Sequence, residues 1–278
     1  MMDITSCVQL SNGIKMPLLG FGTYKVESGE SVINSVKEAL KIGYRHIDTA
    51  AFYGNEEGVG IAIKESGIKR EDIFLVSKVW NTEQGYEKTI KSFEDSLKRL
   101  GTDYLDLFLI HWPQPLHKET WKALEKLYNE GRVKAIGVSN YTVNHLKDLL
   151  KDSEISPMVN QIEFHPKLIQ PELMDFCNKN NIQIEAWSPL MRGGIFKIKL
   201  LDELSKKYKK TISQIVLRWD LQMGVVTIPK SIKPSRIKEN ADIFDFELTN
   251  EDMKRINELN EKLRCGSNPD IIYSQGHK

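Results

Sequence analysis

Four side chains that together can hand a proton to a carbonyl oxygen are Asp48, Tyr53, Lys78 and His111. A free tyrosine, with a pKa near 10, is too weak an acid for efficient catalysis at neutral pH. An ammonium beside it favours the phenolate, and bringing the phenol close to neutrality corresponds to roughly 4 kcal/mol of differential interaction. Lys78 is therefore expected to lower the Tyr53 pKa, Asp48 to hold Lys78, and His111 to donate to the substrate oxygen. Taken singly, each has an ordinary structural explanation: a cap, a solvated lysine, a satisfied histidine. Their weight comes from coincidence, because three of them close consecutive apolar runs and Tyr53 follows just after one.

The glycines that follow Asp48 and Tyr53, in "RHIDTAAFYGNEEGVG" (45–60), raise a different possibility, a phosphate-binding loop. A dinucleotide fingerprint needs G-x-G-x-x-G between a strand and a helix. "GVGIAI" (58–63) lacks the third glycine and reads as the inside of a helix, "GFG" (20–22) is shorter still, and no G-x-x-x-x-G-K-[ST] occurs. Gly58 and Gly60 are expected instead to pack a helix closely against the barrel that the periodicity of the chain predicts.

The positioning elements follow from periodicity. Short runs rich in branched and aromatic residues predict strands over 19–24, 44–50, 74–80, 104–112, 133–140, 158–164, 182–188 and 224–231. Between them lie helical windows such as "SVINSVKEALKIG", "YEKTIKSFEDSLKRLG" and "ETWKALEKLYNEG", each stopping at a glycine, and "PELMDFCNKNN", with proline at its start. Eight strand–helix units without a long linker or composition break predict one domain over 1–278, an α/β (β/α)8 TIM barrel. A doubly wound sheet would need fewer strands. "VQLSNGIKMP" predicts an opening hairpin with a two-residue Asn-Gly turn, placed to plug the N-terminal end of the barrel. The tail "RCGSNPDIIYSQGHK" predicts a mobile segment near the active-site face. Barrel chemistry sits at the C-terminal ends of strands, which singles out Asp48, Lys78, Trp80, His111, Trp112, Ser139, Asn140, Gln161, Trp187 and Lys230.

With the elements in place, the blocks "GYRHIDTAAFYGNEEGVG", "LVSKVW", "DLFLIHWP", "VKAIGVSNY", "VNQIEFHP" and "IPKSIKPSRIKEN" resemble, in order, those of the aldo-keto reductases, in particular a bacterial branch acting on glyoxals or 2,5-diketo-D-gluconate. The resemblance covers nearly the whole chain. It implies Tyr53 as general acid, Lys78 and Asp48 as its partners, and His111 as the carbonyl-orienting group. It implies NADPH/NADP+ as cofactor, with Ser139, Asn140 and Gln161 on the nicotinamide carboxamide and Trp187 stacked on the ring. Many family members carry tyrosine in place of Trp187. Gly22, Thr23, Asp48, Ser188, Pro189, Leu190 and Ile232 join the cofactor wall by the same resemblance. Lys230, Ser231 and Arg236 would hold the 2′-phosphate, and Glu239 and Asn240 the adenine. The basic start of a helix after the last strand suits a phosphate independently of the family, and it argues for NADP over NAD. Tyr24, Trp80, His111 and Trp112 would line a mouth suited to small aldehydes, dicarbonyls and aryl carbonyls. The expected reaction is NADPH-dependent reduction to an alcohol; the alternative is a barrel that binds NADP as a regulator without turnover.

Bulk properties exclude other classes. Lys+Arg total 39 against Asp+Glu 38, so no global field favours nucleic acid or an anionic membrane. No run reaches the roughly 18 apolar residues of a span, and the first ten residues lack the features of a secretion signal. A cytoplasmic monomer is expected, with Cys7, Cys177 and Cys265 reduced and in no metal spacing. Two rival enzymes need the same residues. A metal-dependent hydrolase would use His46, Asp48, His111 and His165 as ligands, leaving Tyr53 and Arg236 without a task. A Schiff-base lyase would need Lys78 as a neutral amine, which Asp48 opposes.

Overall fold

The computed structural model describes residues 2–275. It opens with an antiparallel hairpin of β1 (Cys7–Gln9) and β2 (Lys15–Pro17). Eight further strands follow: β3 (Phe21–Gly22), β4 (His46–Asp48), β5 (Phe74–Val79), β6 (Leu107–Ile110), β7 (Ile136–Ser139), β8 (Val159–Glu163), β9 (Gln183–Trp187) and β10 (Val226–Thr227). They pair in parallel in chain order. The two edges also meet: Gly20 N–H donates to Thr227 O at 2.9 Å, Gly22 N–H to Pro229 O at 3.2 Å, and Thr227 N–H to Leu18 O at 3.0 Å. The eight-stranded sheet so closes on itself through the bonds between its two end strands.

Helices α1 (Glu30–Ile42), α2 (Glu56–Glu65), α3 (Tyr86–Leu100), α4 (His117–Asn129), α5 (Val143–Leu150), α6 (Pro171–Lys179), α7 (Lys199–Tyr208), α8 (Ile212–Gln222) and α9 (Pro234–Ala241) link and cover the strands. Most of them bury one stripe, which in α3 includes Phe93, Leu97 and Leu100, whereas α8 is buried all round from Ser213 to Leu221. Two more, α10 (Asn250–Asn257) and α11 (Pro269–Gln275), have no counterpart in the sequence reading. The first is polar nearly all round and is signalled only by the Thr249 cap, whose hydroxyl accepts from Asp252 N–H at 3.2 Å. No helix among the described residues is long and apolar enough to cross a membrane.

All eight strand windows contain a strand, each shorter than its apolar run because runs continue past the paired ladder. In β5 all six residues are buried, including Ser77 and Lys78. Successive side chains alternate faces, so Lys78 turns into the barrel to meet Asp48 while Ser77 turns outward, its hydroxyl donating to Glu56 of α2.

Three expectations need correction. The hairpin turn is a three-residue loop: Gly13 N–H donates to Leu10 O and Leu10 N–H to Ile14 O, with Gly13 at φ +88° taking the left-handed position after the turn. Asn12 is used for its side chain, which donates to Lys134 O at 2.9 Å just ahead of β7. Gly58 and Gly60 face neighbouring helices rather than strands. A Cβ on Gly58 would lie 2.4 Å from Val32 in α1, and one on Gly60 2.3 Å from the carbonyl oxygen of Leu100, the last residue of α3. The tail, finally, is tied down as far as α11. Glu163 Oε1 accepts from Cys265 N–H (2.5 Å) and Gly266 N–H (3.0 Å), and Thr142 Oγ donates to Asp270 at 3.2 Å. Gly276, His277 and Lys278 lie outside the described residues.

Candidate active site

At the C-terminal ends of the strands a cavity of about 520 Å³ opens. Its floor is the group picked out from the sequence. Lys78 Nζ, from β5, donates to both carboxylate oxygens of Asp48 in β4 at 2.8 and 2.7 Å and to Thr49 O at 2.9 Å. Its fourth neighbour is Tyr53 Oη at 3.4 Å. Tyr53 closes a one-turn 3-10 helix, Ala51–Tyr53, which lifts the phenol over the ion pair. The His111 ring lies edge-on to it, with centroids 5.6 Å apart.

The electrostatics differ from the sequence expectation. Burial, and after it the negative charge of Asp48, hold the Tyr53 phenol well above the usual tyrosine range. Lys78 does not outweigh these two effects in the resting site, because Asp48 balances much of its charge. The resting site is thus a neutral acid above a compensated ion pair. This arrangement also counts against a Schiff-base role, since all three Lys78 hydrogens point at acceptors.

The polar side chains on the neighbouring strand ends form one network. Asn140, at φ +65°, a backbone position that asparagine tolerates, donates to His111 O and Ser139 Oγ at 3.0 Å each. Its Oδ1 accepts from Trp187 Nε1 at 2.9 Å, fixing the indole plane. Ser139 Oγ donates to Gln161 O at 2.8 Å. Gln161 Nε2 donates to Asp48 Oδ2 and to Glu185 Oε2, both at 2.8 Å. The Asn140 amide thus ties His111, Ser139 and Trp187 together, and the Gln161 amide ties Asp48 to Glu185, while both residues border the cavity.

Gly22, Tyr24, Asp48, Tyr53, Trp80, His111, Trp112, Ser139, Asn140, Gln161, Trp187, Ser188, Pro189, Leu190 and Lys230 all line the cavity. Thr23 lies behind the wall, with its hydroxyl on Asp48 O at 2.9 Å. Ser231, ahead of α9, and Asn240, in its last turn, are buried, Ile232 and Arg236 are exposed around its start, and none of them borders the cavity. Glu239 accepts from Thr211 Oγ at 2.9 Å, so part of its acceptor capacity serves the fold. Lys25, Phe52, Arg192, Ile228, Pro229, Gly266 and Ser267 also line the cavity and were missed. Phe52 had one signal, its place beside Tyr53; it stacks on Trp80 with centroids 3.7 Å apart. Lys25 and Arg192 owe their position to left-handed backbone, at φ 58° and 52°, which no local pattern announced.

The rival metal set does not assemble. His46 faces Glu185 and His165 faces Glu163, each at 3.2 Å and on different strands from His111. Glu163, His165 and Cys265 do approach one another. There, Glu163 Oε1 takes the two tail N–H groups and His165, while Arg264 stands 3.8 Å from its other oxygen, so the trio serves to anchor the tail.

Residues 18–261 match the model of the aldo/keto reductase family. The chain is 61% identical over 271 residues to a glyoxal reductase of Bacillus subtilis, covering 97% of this chain and 98% of that protein. It is 44% identical to the methylglyoxal reductase DkgA of Escherichia coli, covering 95% and 96% of the two chains. Among solved structures, a Bombyx mori aldo-keto reductase in complex with NADP superposes with a TM-score of 0.90 at 34% identity, covering 98% of this chain and 97% of that one. With the strand order, the closed sheet and the Asp–Tyr–Lys–His floor, these likenesses place the chain in the aldo/keto reductase family.

Proposed function

We propose that this protein reduces small aldehydes and dicarbonyls such as glyoxal and methylglyoxal to alcohols, with NADPH as reductant and Tyr53 as proton donor. The observation that carries the reading is the Tyr53 phenol set 3.4 Å from the Lys78 ammonium at the foot of an aromatic cavity. The names of the Bacillus and Escherichia relatives support the substrate class. The NADP complex of the Bombyx protein supports the cofactor.

The residues present suit a nicotinamide dinucleotide. Gly22 keeps the wall open, since a Cβ there would sit 2.9 Å from Ile228 O. Trp187 offers a flat, fixed face, and Ser139, Asn140 and Gln161 offer polar groups beside it. At the far end Lys25 and Lys230 bring two positive charges together. Burial, and then Lys25, hold the Lys230 pKa below the ordinary lysine value, the signature of a cation short of a counter-charge. Lys230, Ser231 and Arg236 at the start of α9 would hold the 2′-phosphate, with Glu239 and Asn240 towards the adenine. Bound along this wall, the reduced nicotinamide supplies the hydride.

The side chains account for the rest. Trp80, Trp112 and Phe52 enclose a small carbonyl compound and shield it from water, and His111 donates to its oxygen. Tyr53 Oη gives that oxygen its proton. The phenolate left behind lies against Lys78, which Asp48 and Thr49 O keep in place; this cation stabilises the charge only as it forms.

The test is oxidation of NADPH and of NADH by purified protein with methylglyoxal and an aromatic aldehyde. Tyr53→Phe is expected to retain NADPH binding and to lower kcat by about 10²–10⁴-fold. A variant that keeps the full rate overturns the assignment of the acid.

A further inference from the structure

Below the floor lies a second buried acid, which the reaction as described does not use. Glu185, in β9, is fully buried. Groups from three strands face it: Asp48 and His46 from β4, Lys78 from β5 and Gln161 from β8, with Tyr53 above them. His46 is fully buried too, walled by Gly20 and by Phe74, whose ring stands edge-on with centroids 5.1 Å apart.

The hydrogen-bond inventory requires one proton in this group. His46 Nδ1 lies 3.4 Å from Pro17 O. A carbonyl oxygen only accepts, so Nδ1 carries the hydrogen and a neutral ring shows a lone pair at Nε2. That lone pair is 3.2 Å from Glu185 Oε1. Two bare acceptors at this separation in a dry interior repel, so a proton lies between them. The other carboxyl oxygen is also accounted for. Gln161 Nε2 spends one hydrogen on Glu185 Oε2 and the other on Asp48 Oδ2. This leaves the Gln161 carbonyl oxygen turned away from both acids.

We propose that Glu185 is a positioning residue which holds this proton, donates it to His46 Nε2, and, being uncharged, leaves Asp48 as the sole counter-ion of Lys78 while setting the orientation of the Gln161 amide. The alternative placement, imidazolium against carboxylate, puts two more charges where no water reaches them. The directions of titration agree: burial, then Asp48, push the Glu185 carboxyl up to about 8, whereas burial pushes His46 down to about 4. When Glu185 ionises, a second negative charge faces the floor. That charge makes it harder for Tyr53 to give up its proton. The rate of carbonyl reduction therefore falls as Glu185, rather than Tyr53, deprotonates.

The inference rests on the proposed reductase activity for its kinetic readout but not for its structural one. With NADPH and methylglyoxal, wild-type kcat is expected to drop about tenfold from its plateau by about pH 9, following a single ionisation near 8. Glu185→Gln, which keeps both hydrogen bonds without an ionisable group, is expected to remove that drop. A wild-type rate that stays flat to about pH 9, or a Glu185→Gln profile that falls as the wild type does, overturns the proposal. The ¹⁵N imidazole spectrum of the wild type, with His46 assigned by its loss in His46→Gln, is read whether or not the protein reduces carbonyls. A neutral ring protonated at Nδ1 from about pH 5.5 to 7.5 is expected, and an imidazolium pattern overturns the proposal.

Discussion

Replacing Lys78 by methionine, Lys78→Met, keeps most of the side-chain volume and removes one charge from a site with no access to water. Lys78 is fully buried and makes three hydrogen bonds of 2.7–2.9 Å, two of them to Asp48. Its loss leaves the Asp48 carboxylate, 2% exposed, with the Gln161 amide as its one side-chain hydrogen-bond partner among the described residues. Breaking a buried pair from one side costs about 3–5 kcal/mol, mostly the penalty of the stranded charge. For a chain of this size that corresponds to a fall in Tm of about 6–20 °C. Adding Asp48→Asn removes the stranded charge while keeping an acceptor for Gln161, and should recover at least half of the loss. Thermal melts followed by near-UV circular dichroism, with urea titrations beside them, measure both variants. A single variant within about 3 °C of wild type would mean that the pair is effectively solvated. A double variant as unstable as the single one would mean that shape, not charge, dominates. In either case the account of the floor as a compensated ion pair fails. Neither variant should regain turnover, since both lack the cation that stabilises the phenolate.

Two further outcomes test the site. Arg236→Ala is expected to weaken NADPH binding by about 10- to 150-fold, the worth of charge-assisted hydrogen bonds to a phosphate, and NADH by less than about threefold. Equal losses for the two, measured by fluorescence titration, would place the phosphate elsewhere. Because burial and Asp48 hold the Tyr53 phenol above the ordinary tyrosine range, the ultraviolet difference between wild type and Tyr53→Phe should show no phenolate up to about pH 10. A midpoint below that would mean that Lys78 does act on the resting phenol.

The folding plan was legible because its signals are local. A buried parallel strand is a short branched run and a covering helix is a stripe of period 3.6, and each reads within about ten residues. The strand ends were legible for the same reason, which is why Asp48, Lys78, His111, Asn140 and Gln161 were found where the cavity lies. Boundaries were less legible, since the apolar run of residues 104–112 outlasts the four paired residues of β6. The hairpin turn misled because Asn-Gly suits two loop lengths, and the choice fell with Asn12 reaching Lys134. Lys25 and Arg192 reach the cavity through left-handed backbone set by the surrounding packing, and Gly266 and Ser267 through the hold of Glu163 on the tail.

By itself the sequence determined the order of the strands and helices and the set of polar residues placed at the strand ends, because propensity and periodicity act along the chain. The tertiary structure decided the charge state of that set. Whether Lys78 would lower the Tyr53 pKa depended on distances and burial between strands 25 and more residues apart. Asp48 claimed the ammonium first, and the dry interior favoured the neutral phenol. No motif pairs Glu185 with His46, and their shared proton exists only because β4 and β9 meet across a closed sheet, with no solvent to supply another partner.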